Sequence, residues 1–391
     1  MIHSRALFTR SVAGKDSQAA ALPVLFALSK LQVPRPRDAT LPATITDQSA
    51  GVPVGPKPAT GDWRHGTPNA LPVLDAERRH YSLREAQAYC ERLLRARSDS
   101  FELPLSQSRL PRAVQPHVLA IYAFERAADD FADEPTYAGQ RHFALEQWEH
   151  ELFRTFHGEA THPIFVALRD TIERFDLPVT PFSDLLSAFR MELSPPAFPT
   201  FDALRVYCRH RSEPLGQLVL RLFGHSDALR LRYAADMAVA FQLTTFLQDL
   251  CLDLDRGRVY LPGEDLAHFD LTSGPTHDPL TALSEAKTGA APHRTRAFRD
   301  LLRFQTARTR SFYERGRPLL GLIENDLGLE LSLTFHSGLS LLDKIDALGE
   351  ELLRTRPSLG KTEIARVAAR ALSNRVPRLL GRGAAVRSTQ D

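Results

Sequence analysis

Apolar residues recur every three or four positions through most of the chain beyond residue 79, the period of a helix rather than of a strand. The pattern is plainest in "PHVLAIYAFERAADDFADE", "FSDLLSAFRMEL", "LRLRYAADMAVAFQLTTFLQDLCLDL", "RAFRDLLRFQTARTRSFYERG" and "FHSGLSLLDKIDALGEELLRTR". Alternation of β-branched residues is scarce and no Gly-rich strand-to-helix turn occurs, which argues against a dinucleotide fold. The stretch "LTSGPTHDPLTALSEAKTGAAPHRT", residues 271–295, reads as a long surface loop between two helices. Upstream, nine of the 27 prolines fall between Pro23 and Pro72, a composition that neither propagates a helix nor buries a continuous face. The pattern predicts one all-α domain over residues 79–372. A Pro-rich extension, residues 1–78, is expected to be disordered, and residues 373–391 to form a basic, frayed tail.

Composition narrows the partners without naming one. The 391 residues are 43% hydrophobic and 25% charged, enough to bury a substantial core. A net charge of +2 gives no support to nucleic-acid binding. Cys90, Cys208 and Cys251 stand far apart with no CxxC pair, which argues against a zinc site or a disulfide framework and fits a reducing cytosol. No apolar run is long enough to span a bilayer. The start "MIHSRALFTRSVAGK" has no acid before Asp16, but it lacks the apolar core and cleavage site of a signal peptide.

The chemistry lies in the acids. Asp129 and Asp133 are four apart, as are Asp130 and Glu134, and Glu125 extends the first pair by one turn. On a helix each pair shares a face, where like charges repel unless solvent or a cation offsets them. A second pair, Asp249 and Asp253, lies in a stretch otherwise built of Phe, Leu, Cys and Thr. One such pair is ordinarily a solvated face. Two, both inside apolar helices, are expected to point into a cavity, because an isolated buried charge costs too much. Carboxylates are the ligands Mg²⁺ prefers, and Mg²⁺ shares its remaining positions with water and substrate phosphate. Facing acidic pairs would therefore clamp Mg²⁺ around a diphosphate at the mouth of an apolar pocket, promoting ionisation of a carbon–oxygen bond.

With these residues in view, the sequence resembles the squalene/phytoene synthase family, and within it the hydroxysqualene synthases of hopanoid synthesis. The resemblance rests on "PHVLAIYAFERAADDFADE", "FSDLLSAFRMEL", "YCRHRSEPLGQLVLRLFG", "QDLCLDLDRGRVYLPGEDL" and "LLDKIDALGEELLRTRPSLGK", in family order over residues 85–372. It implies a single isoprenoid-synthase-type helical bundle around a deep apolar channel. Asp129, Asp130 and Asp133 would be the first Mg²⁺-diphosphate cluster and Asp249 with Asp253 the second. Ser98, Arg126, Gln242, Thr245, Arg258 and Tyr260 would serve the diphosphate end, Phe101 the prenyl chain, and Tyr207 the reacting carbons. From its spacing, Arg126 is equally an intrahelical partner of Asp130, and Phe101, read without the resemblance, is a core aromatic, as large aromatics usually are.

The chain departs from the family pattern at Thr245 (Asn in the family), Glu213 (Asn in the branch) and Glu192 (Asp). The activity implied is Mg²⁺-dependent ionisation of presqualene diphosphate and capture by water to give hydroxysqualene, with Phe101, Phe124 and Phe246 as candidate walls. Two alternatives stand beside it: condensation of two farnesyl diphosphates to presqualene diphosphate or squalene, and a non-catalytic prenyl-lipid-binding homologue. The expected location is cytoplasmic, with peripheral contact at the membrane face.

Overall fold

The computed structural model describes residues 80–96, 110–194, 198–272, 278–324 and 326–373, and among them there is no strand. The helices are α1 (Leu83–Ala96), α2 (Gln115–Asp133), α3 (Arg141–Phe156), α4 (Pro163–Phe175) and α5 (Thr180–Glu192). There follow α6 (Phe201–Arg211), α7 (Glu213–Leu222), α8 (Ala228–Gln248), α9 (Leu250–Asp255) and α10 (Gly263–His268). The last are α11 (Pro279–Thr288), α12 (Pro292–Gly316), α13 (Leu319–Leu322), α14 (Asp326–Leu348) and α15 (Lys361–Ser373). Ser98 and Phe101, with the extension 1–78, lie outside the described residues.

Local chemistry accounts for many of the boundaries. Ser82 and Glu85 cap α1 reciprocally: the Ser82 amide donates to Glu85 Oε2 at 2.9 Å and the Glu85 amide donates to Ser82 Oγ at 3.4 Å. Thr200 caps α6, accepting from the Ala203 amide. Arg209, His210 and Arg211 close that helix, where cations suit the negative end of the dipole.

Two helices are buried nearly all round, as central helices must be. In α2 every residue from His117 to Ala132 except Leu119 is buried, and in α8 every residue from Met237 to Gln248. The first packs against α1, α3, α4 and α5, and the second against α6, α7, α12 and α14. Contacts among α5, α6 and α7 stitch the two groups into one bundle. Phe124 is fully buried among Trp148, Phe165 and Phe182, with its carbonyl accepting from the Trp148 indole at 3.2 Å. It therefore belongs to an aromatic core around α3–α5 rather than to a substrate wall.

Two sequence expectations need correction. Residues 279–288, read as part of a loop, form α11. Asp278 caps it through the Leu280 and Thr281 amides, Pro279 occupies its first turn, and Gly289 ends it with φ 73°. The Pro and Gly that suggested a loop are the boundary residues of a short helix. The second correction is at Asp249, where the run "FLQDLCLDL" breaks between α8 and α9 instead of continuing as one helix.

Candidate active site

Asp249, at the break between α8 and α9, lies 120 residues after Asp129 of α2 in the sequence. Asp129 and Asp133 of α2 line one cavity together with Asp249 and Asp253. The same cavity, about 390 Å³ out to its open edge, is walled by Tyr207 of α6 and by Gln242, Thr245 and Phe246 of α8, with Glu192 and Arg211 completing it. Stretches far apart in the chain thus put four aspartates around one space.

The charges are held by a network of arginines. Arg126 pairs with Asp130 at 2.9 Å and with Asp129 at 3.5 Å, both within its own helix. Asp130 is buried against Arg126 and is not among the residues lining the cavity. Arg258, just beyond α9, bonds Asp133 at 3.0 Å and so ties the second acidic segment to the first. Arg356 bonds Asp249 at 2.5 Å, and the next carbonyl, of Pro357, accepts from Gln248 Nε2 at 2.8 Å. The remaining arginine, Arg211, donates to Glu125 at 2.8 Å and lies 3.4 Å from Glu192 and 3.8 Å from Asp129.

The aromatic wall is layered. Phe246 faces the cavity, and the Tyr260 ring stacks on it at 4.2 Å, nearly parallel. The Tyr207 hydroxyl donates to Glu192 at 2.5 Å, and its ring lies 6.0 Å from Phe246. Gln242 accepts from the Ser212 hydroxyl at 2.7 Å. Glu213 is absent from the cavity lining and faces Arg209 at 3.8 Å.

Burial sets the electrostatics. It raises the Asp129 carboxyl well above the usual range, an effect that Arg126 counters and Glu125 reinforces. Burial, with the neighbouring Asp249 charge, pushes Asp253 up to about 7. Glu192 is raised in the same way, and the Tyr207 hydroxyl is raised by burial and by Glu192. Burial alone would lower Arg211, but Glu125 and Glu192 more than reverse it. The lining carries five acidic side chains and Arg211, so even with Arg126, Arg258 and Arg356 beside it the cavity has more acidic than basic groups.

A divalent cation would relieve that imbalance. Among the described residues no three acidic, His or Cys side chains converge closely enough to hold an ion unaided. Mg²⁺ does not need such a cage, since one or two carboxylates suffice when water and phosphate complete its shell. Asp253 Oδ1, buried without a hydrogen-bond partner, marks one position where an ion fits. Asp129, Asp133 and Asp249 are the other carboxylates at the cavity.

A second cavity, about 510 Å³ by the same measure, shares Arg211 with the first. Its walls are apolar, built from Leu215, Gly216 and Val219 of α7, Met237 and Phe241 of α8, and Leu331 of α14. One lining is thus mostly ionic and the other mostly apolar.

Sequence reasoning missed several of these groups. Arg211 and Arg356 carry ion pairs that no periodicity announces, and Glu125, read as an extension of the first acidic pair, meets Arg211 and is absent from the cavity lining. Glu192 is distinguished in the sequence only as a departure, whereas here it anchors Tyr207 and Arg211.

Comparison with known proteins agrees with this geometry. The family model for squalene/phytoene synthase matches residues 94–363, more than half of the chain. The solved structure of squalene synthase HpnC from Alicyclobacillus acidocaldarius is 35% identical, with a TM-score of 0.60 over 68% of this chain and 95% of its own. A dehydrosqualene synthase solved with a ligand shares the fold at 23% identity and a TM-score of 0.60, covering 75% of this chain and 97% of its own. The phytoene synthase of Arthrospira platensis is 29% identical over 289 residues, 68% of this chain and 89% of that protein. An all-helical bundle, two acidic segments meeting at one cavity and a family match across most of the folded region lead to one assignment: the chain belongs to the squalene/phytoene synthase family.

Proposed function

We propose that this family member is a Mg²⁺-dependent hydroxysqualene synthase, converting presqualene diphosphate and water to hydroxysqualene and diphosphate. The observation that carries the reading is the meeting of Asp129, Asp133, Asp249 and Asp253 around one cavity beside an apolar one. A charged head and a hydrocarbon body would find matching chambers there. The likeness to a squalene synthase HpnC at 35% identity supports the branch.

In this reading Asp129, Asp133, Asp249 and Asp253 would hold Mg²⁺, which when bound would neutralise the charge of the diphosphate leaving group. Arg258 and Arg356 fix Asp133 and Asp249 until substrate arrives. The carbon–oxygen bond breaks with its electron pair leaving on diphosphate. Capture of the cation by water forms the new carbon–oxygen bond and releases a proton. Tyr207 and Phe246 restrict the water that can reach the cation and offer it their ring faces. Ser98 and Phe101 are proposed to complete the phosphate and prenyl ends, and Gln242 and Thr245 to line the head-group chamber.

A second reading, head-to-head condensation of two prenyl diphosphates, draws on the phytoene synthase named among the relatives. Chromatography of products decides between them. The purified protein with Mg²⁺ is incubated with presqualene diphosphate or with farnesyl diphosphate, with and without NADPH. Hydroxysqualene from the first substrate without NADPH is expected. Product from farnesyl diphosphate alone would favour condensation, and release of diphosphate from neither would leave a prenyl-lipid-binding protein.

A further inference from the structure

Glu192 is the last residue of α5 and lines the ionic cavity, where its side chain stays 12% exposed. Three other acids of that lining, Asp129, Asp133 and Asp249, face Arg126, Arg258 and Arg356. The shortest contact of Glu192 is instead with a neutral donor, the Tyr207 hydroxyl at 2.5 Å, while Arg211 Nε lies 3.4 Å away. Both contacts fall on Oε1. A carboxylate fixed through one oxygen keeps the other available to a small molecule in the cavity. Tyr207 belongs to the aromatic side of the site, with its ring 5.5 Å from Phe198, 6.0 Å from Phe246 and 6.2 Å from Tyr260. One hydrogen bond thus joins an acid to the wall where a cation would find ring faces. Water that captures a carbocation becomes an oxonium and must lose a proton to a nearby base.

We propose that Glu192 is the proton acceptor of the water-capture step. The inference rests on the reading of the protein as a hydroxysqualene synthase. A lone pair of the water oxygen forms the carbon–oxygen bond, one O–H bond breaks with its electrons left on oxygen, and the proton passes to Glu192 Oε2. Glu192 returns that proton to bulk water as the product leaves. Burial favours a proton on this carboxyl, while Arg211 and the Tyr207 hydroxyl oppose it, so the group can hold a proton for one turnover and release it again. An acceptor bonded to Tyr207 also draws water to the aromatic side of the cation. The carbon that receives the hydroxyl and the fate of the proton are then set by one side chain.

The test is the product partition from presqualene diphosphate with Mg²⁺, read by chromatography as the ratio of hydroxysqualene to all other products. That ratio does not depend on how fast diphosphate leaves. Glu192→Gln keeps the side-chain shape and leaves Arg211 paired with Glu125, and in it the ratio should fall at least about tenfold. Alkenes formed by loss of a substrate proton, and isomeric alcohols, should take the place of hydroxysqualene. Glu192→Asp, which retains a carboxylate, should restore most of the ratio. A folded Glu192→Gln protein with the unaltered ratio overturns the proposal and leaves the proton to the departing diphosphate. Equal losses in the two variants would mean that shape matters and not proton transfer, which overturns it as well. An unaltered protein that makes no hydroxysqualene rejects instead the functional reading beneath the proposal. A crystal structure of the unaltered protein with Mg²⁺ and the unreactive presqualene thiodiphosphate tests the same point without substitution. An ordered water within about 3.2 Å of Glu192 Oε2 is expected there, and water held only by the diphosphate overturns the assignment.

Discussion

Near the start of α2, His117 is 1% exposed, and its neighbours specify which of its nitrogens carries the proton. Thr171 Oγ1 gives its hydroxyl proton to the Ala167 carbonyl and so accepts from His117 Nδ1 at 3.0 Å, while Arg174 donates toward Nε2 at 3.4 Å. Asp170 lies 3.7 Å from Nδ1. Burial lowers the imidazole below its ordinary value, an effect that Asp170 only partly offsets and Arg174 reinforces. The native state therefore prefers neutral histidine, and the unfolded state binds the proton more readily. This contribution to stability is complete above about pH 6.5 and is lost as pH falls through the lowered native value. Chemical unfolding of the wild type and of His117→Gln across pH 5 to 8 should show their stability difference shrinking toward acid; a constant difference would contradict the neutral assignment. At this scale the sequence shows which acids are unusual, because an aspartate in an apolar helix is conspicuous. It does not show their partners: Arg211 and Glu125 are 86 residues apart, and only folding makes them neighbours.

Close approach between helices is decided one level up. At Gly338 of α14 a Cβ would overlap both the hydroxyl and the ring of Tyr313 of α12, and Tyr313 in turn meets Thr244 of α8 at 3.1 Å. At Gly316 the added carbon would come within 3.0 Å of α8 backbone. Glycine in a helix normally costs about 1 kcal/mol relative to alanine. Here the sign should reverse, since a methyl group on Gly338 would force the buried Tyr313 ring aside. Gly338→Ala is expected to destabilise the protein by about 1–3 kcal/mol, read as a lower urea midpoint at unchanged slope. Tyr313→Phe should not rescue it, because the ring carbon beneath the hydroxyl is also in the way. Helices were legible as elements because periodicity and capping residues are local. The identity of α11 was harder to read: its Asp278, Pro279 and Gly289 serve a loop or a short helix equally well until Ala282, Leu283 and Ala286 find a core to enter.

Across the whole molecule, α2 and α8 occupy separate packing groups, yet Asp129 and Asp249 serve one cavity. If the two act on a single diphosphate, their losses should not add. Asp129→Asn and Asp249→Asn are each expected to lower diphosphate release from presqualene diphosphate at least about a hundredfold, and the double variant little further. Multiplicative losses in a phosphate-release assay would mean that the two segments work independently. No described helix is long and apolar enough to cross a membrane.

The sequence alone determined the helical class, through a 3.6-residue period that any chain with one buried face per helix must carry. It also determined the acidic pairs, because charge within an apolar run is a local contradiction. Tertiary structure decided the rest: that both pairs open onto one cavity, that Arg258 reaches Asp133 and Arg356 reaches Asp249, and that Arg211 lines both that cavity and an apolar one. Those outcomes depend on which buried charges meet, and the energy of such a meeting exists only once distant segments share a low-dielectric interior.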